Sequence, residues 1–184
     1  MISVMVAHSI VVLLIATMDV TVSRIVVVLV ALDLELGLLT YDPEDERLVT
    51  SVIFTDHLSF IVSPSHRFAG RAEVSITELG METFIAHNIV SPYRNAVIRT
   101  FQQHKVALNM DLEMPTIEAI RKMVERNEGV AFLPRMCVDQ EVHHGLVREV
   151  KVKEMEIERK IRLVYPAKRA LSHAAQAFLE VVAG

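Results

Sequence analysis

The residues of this chain best suited to chemistry stand at the starts of helices. Met114-Pro115-Thr116 precedes Ile117, Ile120, Met123 and Val124, which fall on one face at helical spacing. Pro115 blocks whatever comes before, and the Thr116 hydroxyl is placed to accept from a first-turn backbone N–H. Asn127-Glu128-Gly129 ends this helix, with Gly129 placed to take a positive φ. Val130-Ala131-Phe132-Leu133 then reads as a strand buried on both faces, stopped by Pro134. A polar helix start aimed at an interdomain space suits a small-molecule anchor, because its N–H groups attract anions. An ordinary αβ unit has the same pattern. Ser91-Pro92-Tyr93-Arg94 opens a second such helix, with proline in its first turn.

Other chemistries lack their residues. The single cysteine, Cys137, has no internal disulfide partner, which fits a reducing compartment. No Cys/His zinc spacing exists, and His143-His144 reads as an exposed helix end. There is no nucleophile elbow and no phosphate loop. No catalytic residue, metal or other cofactor is expected. A net charge of −4 lacks the basic excess that marks a nucleic-acid surface. The apolar runs Ile10–Met18 and Ile25–Leu32 fall short of the ~20 residues of a membrane span. Residues 1–9 hold no Lys or Arg, so a signal peptide is not expected, and the chain reads as cytoplasmic with no membrane partner.

The elements that must position the helix starts follow from periodicity. A chain of 184 residues suits one domain or two small lobes. Ile10–Ala16 reads as a buried strand, 22–32 as a helix that Thr21 caps, and Leu34–Leu39 as a strand. Tyr41–Glu46 is a charged loop. Leu48–Phe54 and Leu58–Val62 read as two strands, and Ser63–Arg67 as a turn. Ser75 and Glu78 have capping-box spacing ahead of a short helix. Thr83–Ala86 and Leu108–Glu113 are strands around the helix begun at Ser91, whose apolar side is Val97, Ile98 and Phe101. Pro134 begins a helix that runs to about His144 and closes at Gly145. Leu146–Val152 is a strand, Lys153–Lys160 a charged connector and Ile161–Tyr165 a strand. Ser172 caps a last helix carrying Ala175, Phe178, Leu179 and Val182. Strands alternating with helices predict an open α/β sheet.

The ordered series Leu34–Leu39, Leu58–His66, Val74–Leu79, Glu113–Pro134, Gly145-Leu146-Val147 and Ala174–Leu179 resembles the effector-binding (substrate-binding) domain of LysR-type transcriptional regulators. The likeness covers about residues 33–182. It implies a two-lobed, periplasmic-binding-protein-like (type 2) α/β fold. Residues 1–56 with 161–184 would form the first lobe and 57–160 the second, with an effector held between them. Carried over position by position, it nominates Thr21, Thr40, Ser91, Tyr93, Arg94, Thr116 and Phe132 as effector contacts. Thr21, Ser91 and Thr116 suit helix caps in any case. Phe132 suits a core, Thr40 a solvated loop and Arg94 an exposed surface.

The resemblance implies a sensor: a small, anionic metabolite binds, and a DNA-binding part elsewhere reads the change. A homo-oligomer, dimer or tetramer, is implied as well. No stretch here resembles a winged helix-turn-helix, so contact with DNA would belong to a domain outside this sequence. Counting back from Leu36, Ile10–Ala16 matches the family's second strand, with nine residues before it. An incomplete first lobe is therefore expected, prone to associate through its apolar N-terminal part. The alternative function is a degenerate module that pairs with a full-length regulator without sensing. An enzyme on the same fold is a further alternative, since fold does not fix function.

Overall fold

In a computed structural model the described residues are 2–7, 10–15, 34–89 and 91–183. They divide into two compact units, Met1–Thr55 with Arg159–Gly184 and Asp56–Glu158. Thr21 and the helix expected over 22–32 lie outside the described residues.

In the first unit the apolar run Ile10–Ile15 forms β2, and Ile2–Ala7 forms β1 antiparallel to it, with Ile2 opposite Ile15. Periodicity in the sequence predicts no element before Ile10, so β1 is an addition to the expected order. β3 (Leu36–Leu39) runs parallel to β2, Val12 facing Leu36. β10 (Glu158–Pro166) pairs antiparallel with β3, and the N-terminal half of β4 (Leu48–Val62) follows, giving the order β1-β2-β3-β10-β4. The closing helix α4 (His173–Ala183) packs Ala175 against Leu36 and Leu163, with Phe178, Leu179 and Val182 around them. Ser172 caps it as expected, its Oγ accepting from Ala175 N at 3.2 Å. Glu35 holds that cap, accepting from Ser172 N and Oγ at 2.5 and 2.7 Å.

Two expected strands are one. β4 runs unbroken for 15 residues, because Thr55-Asp56-His57 contains neither Gly nor Pro to interrupt it. Asp56 is buried and accepts from Met136 N at 3.3 Å. The connector expected to reach Lys160 ends earlier, with β10 starting at Glu158.

The second unit is built on alternation. Along β4, Phe60 and Val62 enter one core while Ile61 enters another. β6 (Thr83–His87) divides Phe84 from Ile85 in the same way, and Val130 is divided from Ala131. This two-sided burial explains the unbroken apolar runs. β7 (Asn109–Met114) pairs parallel with β6, and a parallel bridge joins Phe84 to Val130 on its other side. β8 (Ala131–Pro134) and β9 (Arg148–Val152) each pair antiparallel with β4, and β5 (Glu73–Val74) pairs parallel with β9. Ser75 and Glu78 complete both halves of a capping box ahead of the 3₁₀ turn Ile76–Met81.

α1 (Pro92–Gln103) buries Val97 and Phe101 in the core of Phe60 and Phe84. α2 (Ile117–Glu125) buries Ile120 and Val124 in the core of Ile61 and Ile85. After α2 the positive φ falls on Asn127, at 61°, and not on Gly129. Gly129 is required for space: a Cβ there would stand 2.7 Å from the Thr83 carbonyl oxygen. The helix expected from Pro134 is a 3₁₀ turn at Arg135–Cys137 followed by α3 (Asp139–His143), and Pro134 itself remains in β8. Gly145 closes the segment with φ 72°.

Candidate functional site

β6 and β7 are parallel, with His87 opposite Met114, so their C-terminal ends lie side by side. Each end leads directly into a helix, β6 to α1 and β7 to α2. The two helices take opposite faces of the strand pair, and both start at the same edge. Edges of this kind bind ligands in open α/β sheets, because strand ends and helix N-termini converge there.

Both starts are capped by hydroxyls. Ser91 Oγ accepts from Arg94 N at 3.1 Å, and Thr116 Oγ accepts from Ala119 N at 3.1 Å. A capping hydroxyl uses its oxygen and keeps its O–H to donate. First-turn N–H groups without intrahelical acceptors add a partial positive charge at each start. Glu118 opposes this by setting a carboxylate in the first turn of α2.

Side chains from both strand ends tie the two starts together. Arg94 Nη1 donates to the His87 carbonyl at 2.9 Å, and Nη2 donates to Glu113 Oε1 at 2.5 Å. Asn88 N donates to the Met114 carbonyl at 3.0 Å. The His87 ring accepts from Ile89 N through Nδ1 at 3.2 Å and hydrogen-bonds the Pro115 backbone. Burial holds the His87 imidazole below its usual range, and the Arg94 guanidinium pushes the same way.

Of the nominated residues, Ser91, Tyr93, Arg94 and Thr116 meet at this edge. Ser91, Tyr93 and Arg94 are half-buried and Thr116 is exposed. Phe132 is half-buried in an aromatic group, its ring stacked on Phe84 at 5.6 Å and 5.2 Å from Phe60. Thr40 belongs to the first unit, half-buried just past β3. Thr21 lies outside the described residues. Sequence reasoning missed His87, Asn88 and Glu113. The available signal was position, since His87 and Glu113 sit at or next to the ends of two expected strands. Their proximity depends on parallel pairing that periodicity does not encode. Among the described residues no group of His, Cys, Asp and Glu is arranged to hold a metal ion, and no helix is long and apolar enough to cross a membrane.

The LysR substrate binding domain family matches residues 17–184. A probable RuBisCO transcriptional regulator of Cyanidioschyzon merolae is 29% identical over 128 residues, covering 68% of this chain and 42% of that protein. The RuBisCO operon transcriptional regulator of Acidithiobacillus ferrooxidans is 26% identical over 146 residues, covering 79% of this chain and 47% of its own. The chain thus spans less than half the length of these relatives. Among solved structures, the regulatory domain of Synechocystis PCC6803 CcmR in complex with 2-PG superposes with a TM-score of 0.74 at 25% identity, covering 86% of this chain and 76% of that one. The effector-binding domain of QuiR in complex with shikimate, at 16% identity and a TM-score of 0.70 over 86% of this chain and 75% of that one, shares the fold.

Proposed function

The chain belongs to the LysR substrate-binding domain family, with its α/β, periplasmic-binding-protein-like fold, and from that premise we propose that it senses a small anionic metabolite. The ligand is held at the edge where α1 and α2 begin. The observation that carries this reading is the pair of capping hydroxyls, Ser91 and Thr116, on adjacent parallel strand ends. Their O–H groups and the first-turn N–H groups are donors suited to a carboxylate or phosphate. Tyr93 lines the same edge, and Arg94 belongs to it. Phe132 bounds it from the aromatic core. The two compact units act as the two effector-binding lobes.

No catalysis is proposed, and the matched relatives are named as transcriptional regulators. Control of transcription belongs to the whole regulator. It requires a DNA-binding part and a homo-oligomer, with the effector shifting the balance of two states. The reading is tested by calorimetric titration of the purified chain with small carboxylates and phosphate esters. The first compound to try is 2-PG, the ligand of the CcmR domain. Saturable heat that Ser91→Ala and Thr116→Ala each weaken supports the reading. No heat with any compound, together with co-purification of a full-length regulator, favours the interaction fragment without sensing.

A further inference from the structure

The Arg94 guanidinium bridges the two halves of the proposed edge. It sits on the first turn of α1, yet one of its contacts is Glu113 on β7, the strand that leads into α2. Its other contact is the carbonyl of His87, the last residue of β6. The guanidinium is planar and spends two donors on acceptors fixed in different strands, a geometry that a lysine point charge cannot reproduce. The side chain is mostly buried at 20% exposure, while Glu113 is at 44%. Around it, Asn88 N bonds the Met114 carbonyl, and the His87 ring bonds Ile89 N and the Pro115 backbone. Every one of these contacts except His87–Ile89 crosses to the other strand or binds a helix start to one.

We propose that Arg94 is a positioning residue for effector binding: by clamping Glu113 and the His87 carbonyl it fixes the separation of the α1 and α2 N-termini, and it does not serve as the charge that meets the ligand. This rests on the reading that the ligand binds at that edge. The two roles for Arg94 predict opposite signs when Glu113 is removed. If Arg94 met an anion directly, Glu113 would compete for it, and its loss would tighten binding. If Arg94 positions, losing Glu113 frees the clamp and binding weakens.

The test uses the full chain with Glu113→Ala, Arg94→Ala and Arg94→Lys, and 2-PG as the probe. Amide hydrogen exchange is measured first, without ligand. Glu113→Ala is expected to speed exchange about tenfold both at the bonded amides of Asn88 and Arg94 and at the bonded amide of Ala119, with Ile85 and Phe101 unchanged, as the loss of a charge-assisted bond across the edge requires. Acceleration confined to the loop beside the substitution overturns the clamp whether or not the probe binds. Calorimetry follows. The clamp predicts that Glu113→Ala and Arg94→Lys each weaken 2-PG binding by about tenfold or more. Tighter binding in Glu113→Ala, or wild-type affinity in Arg94→Lys, overturns it. If the wild-type chain binds no 2-PG, the function reading fails for that ligand, while the exchange result still decides the clamp.

Discussion

Replacing Gly129 by alanine gives a test in which the sign alone decides. Gly129 lies between α2 and β8, and its φ is not positive, so its backbone is one that alanine adopts without strain. On backbone entropy alone, Gly129→Ala would stabilise the fold by about 0.4–1 kcal/mol. The packing opposes this. The added Cβ would stand 2.7 Å from the Thr83 carbonyl oxygen and 3.0 and 3.1 Å from Ile85 Cγ1 and Cδ1. The same stretch is held to β6 by Val130 N donating to Thr83 O at 2.9 Å and Ile85 N donating to Val130 O at 2.8 Å. Relief of the clash moves the chain away from β6 and weakens both bonds. Overpacking costs about 1–3 kcal/mol and each weakened bond up to about 1 kcal/mol, for a net loss of about 3 kcal/mol. Urea unfolding followed by circular dichroism reads this as a lower midpoint at unchanged slope. Unchanged or increased stability would refute the reasoning.

Three further outcomes follow from the same structure. Ser91→Ala and Thr116→Ala each lose a cap and about 1 kcal/mol of stability in urea unfolding, while Ser91→Asp and Thr116→Asp retain the cap but repel an anion, so stability and calorimetric affinity part company. His87 is held below its ordinary value of 6.5, first by burial and then by Arg94; the stability it contributes is complete above that value and is lost as the pH falls through its lower folded value. An unfolding series across that window shows the loss, and His87→Gln removes it. Asp45 is lowered to about 2, first by the side-chain hydrogen bond from Arg47, so its contribution is present above about 3.8 and is lost as the pH falls through about 2. An NMR titration of its carboxyl carbon checks this, and Arg47→Gln returns the midpoint toward 3.8.

Local chemistry made the helix starts of both units legible. Thr116, Ser91, Ser75 and Ser172 cap where their side chains and flanking apolar spacing place them. The readings that failed did so where long-range structure overrides local pattern. Thr55-Asp56-His57 looks polar enough for a loop, yet tertiary pairing carries β4 straight through it and buries Asp56. Gly129 looks like a helix terminator, but its use is the space beside Thr83, which depends on a strand some 45 residues earlier in the chain. Lys153–Lys160 looks like a connector, and charge alone does not keep Glu158 and Arg159 out of β10. The candidate site was half legible. Hydroxyls and helix starts announce themselves, whereas the ties from His87 and Glu113 to Arg94 exist only once β6 and β7 lie parallel.

The most direct test of the central claim is amide chemical-shift mapping of the full chain during titration with 2-PG and related small anions. A ligand held at the α1–α2 edge shifts the amides of Ser91, Tyr93, Arg94 and Asn95 and of Thr116 to Ala119 together, with one saturation curve, and Ser91→Ala weakens that curve. Saturable binding that leaves both helix starts unmoved, with shifts gathered elsewhere in the chain, would contradict the account.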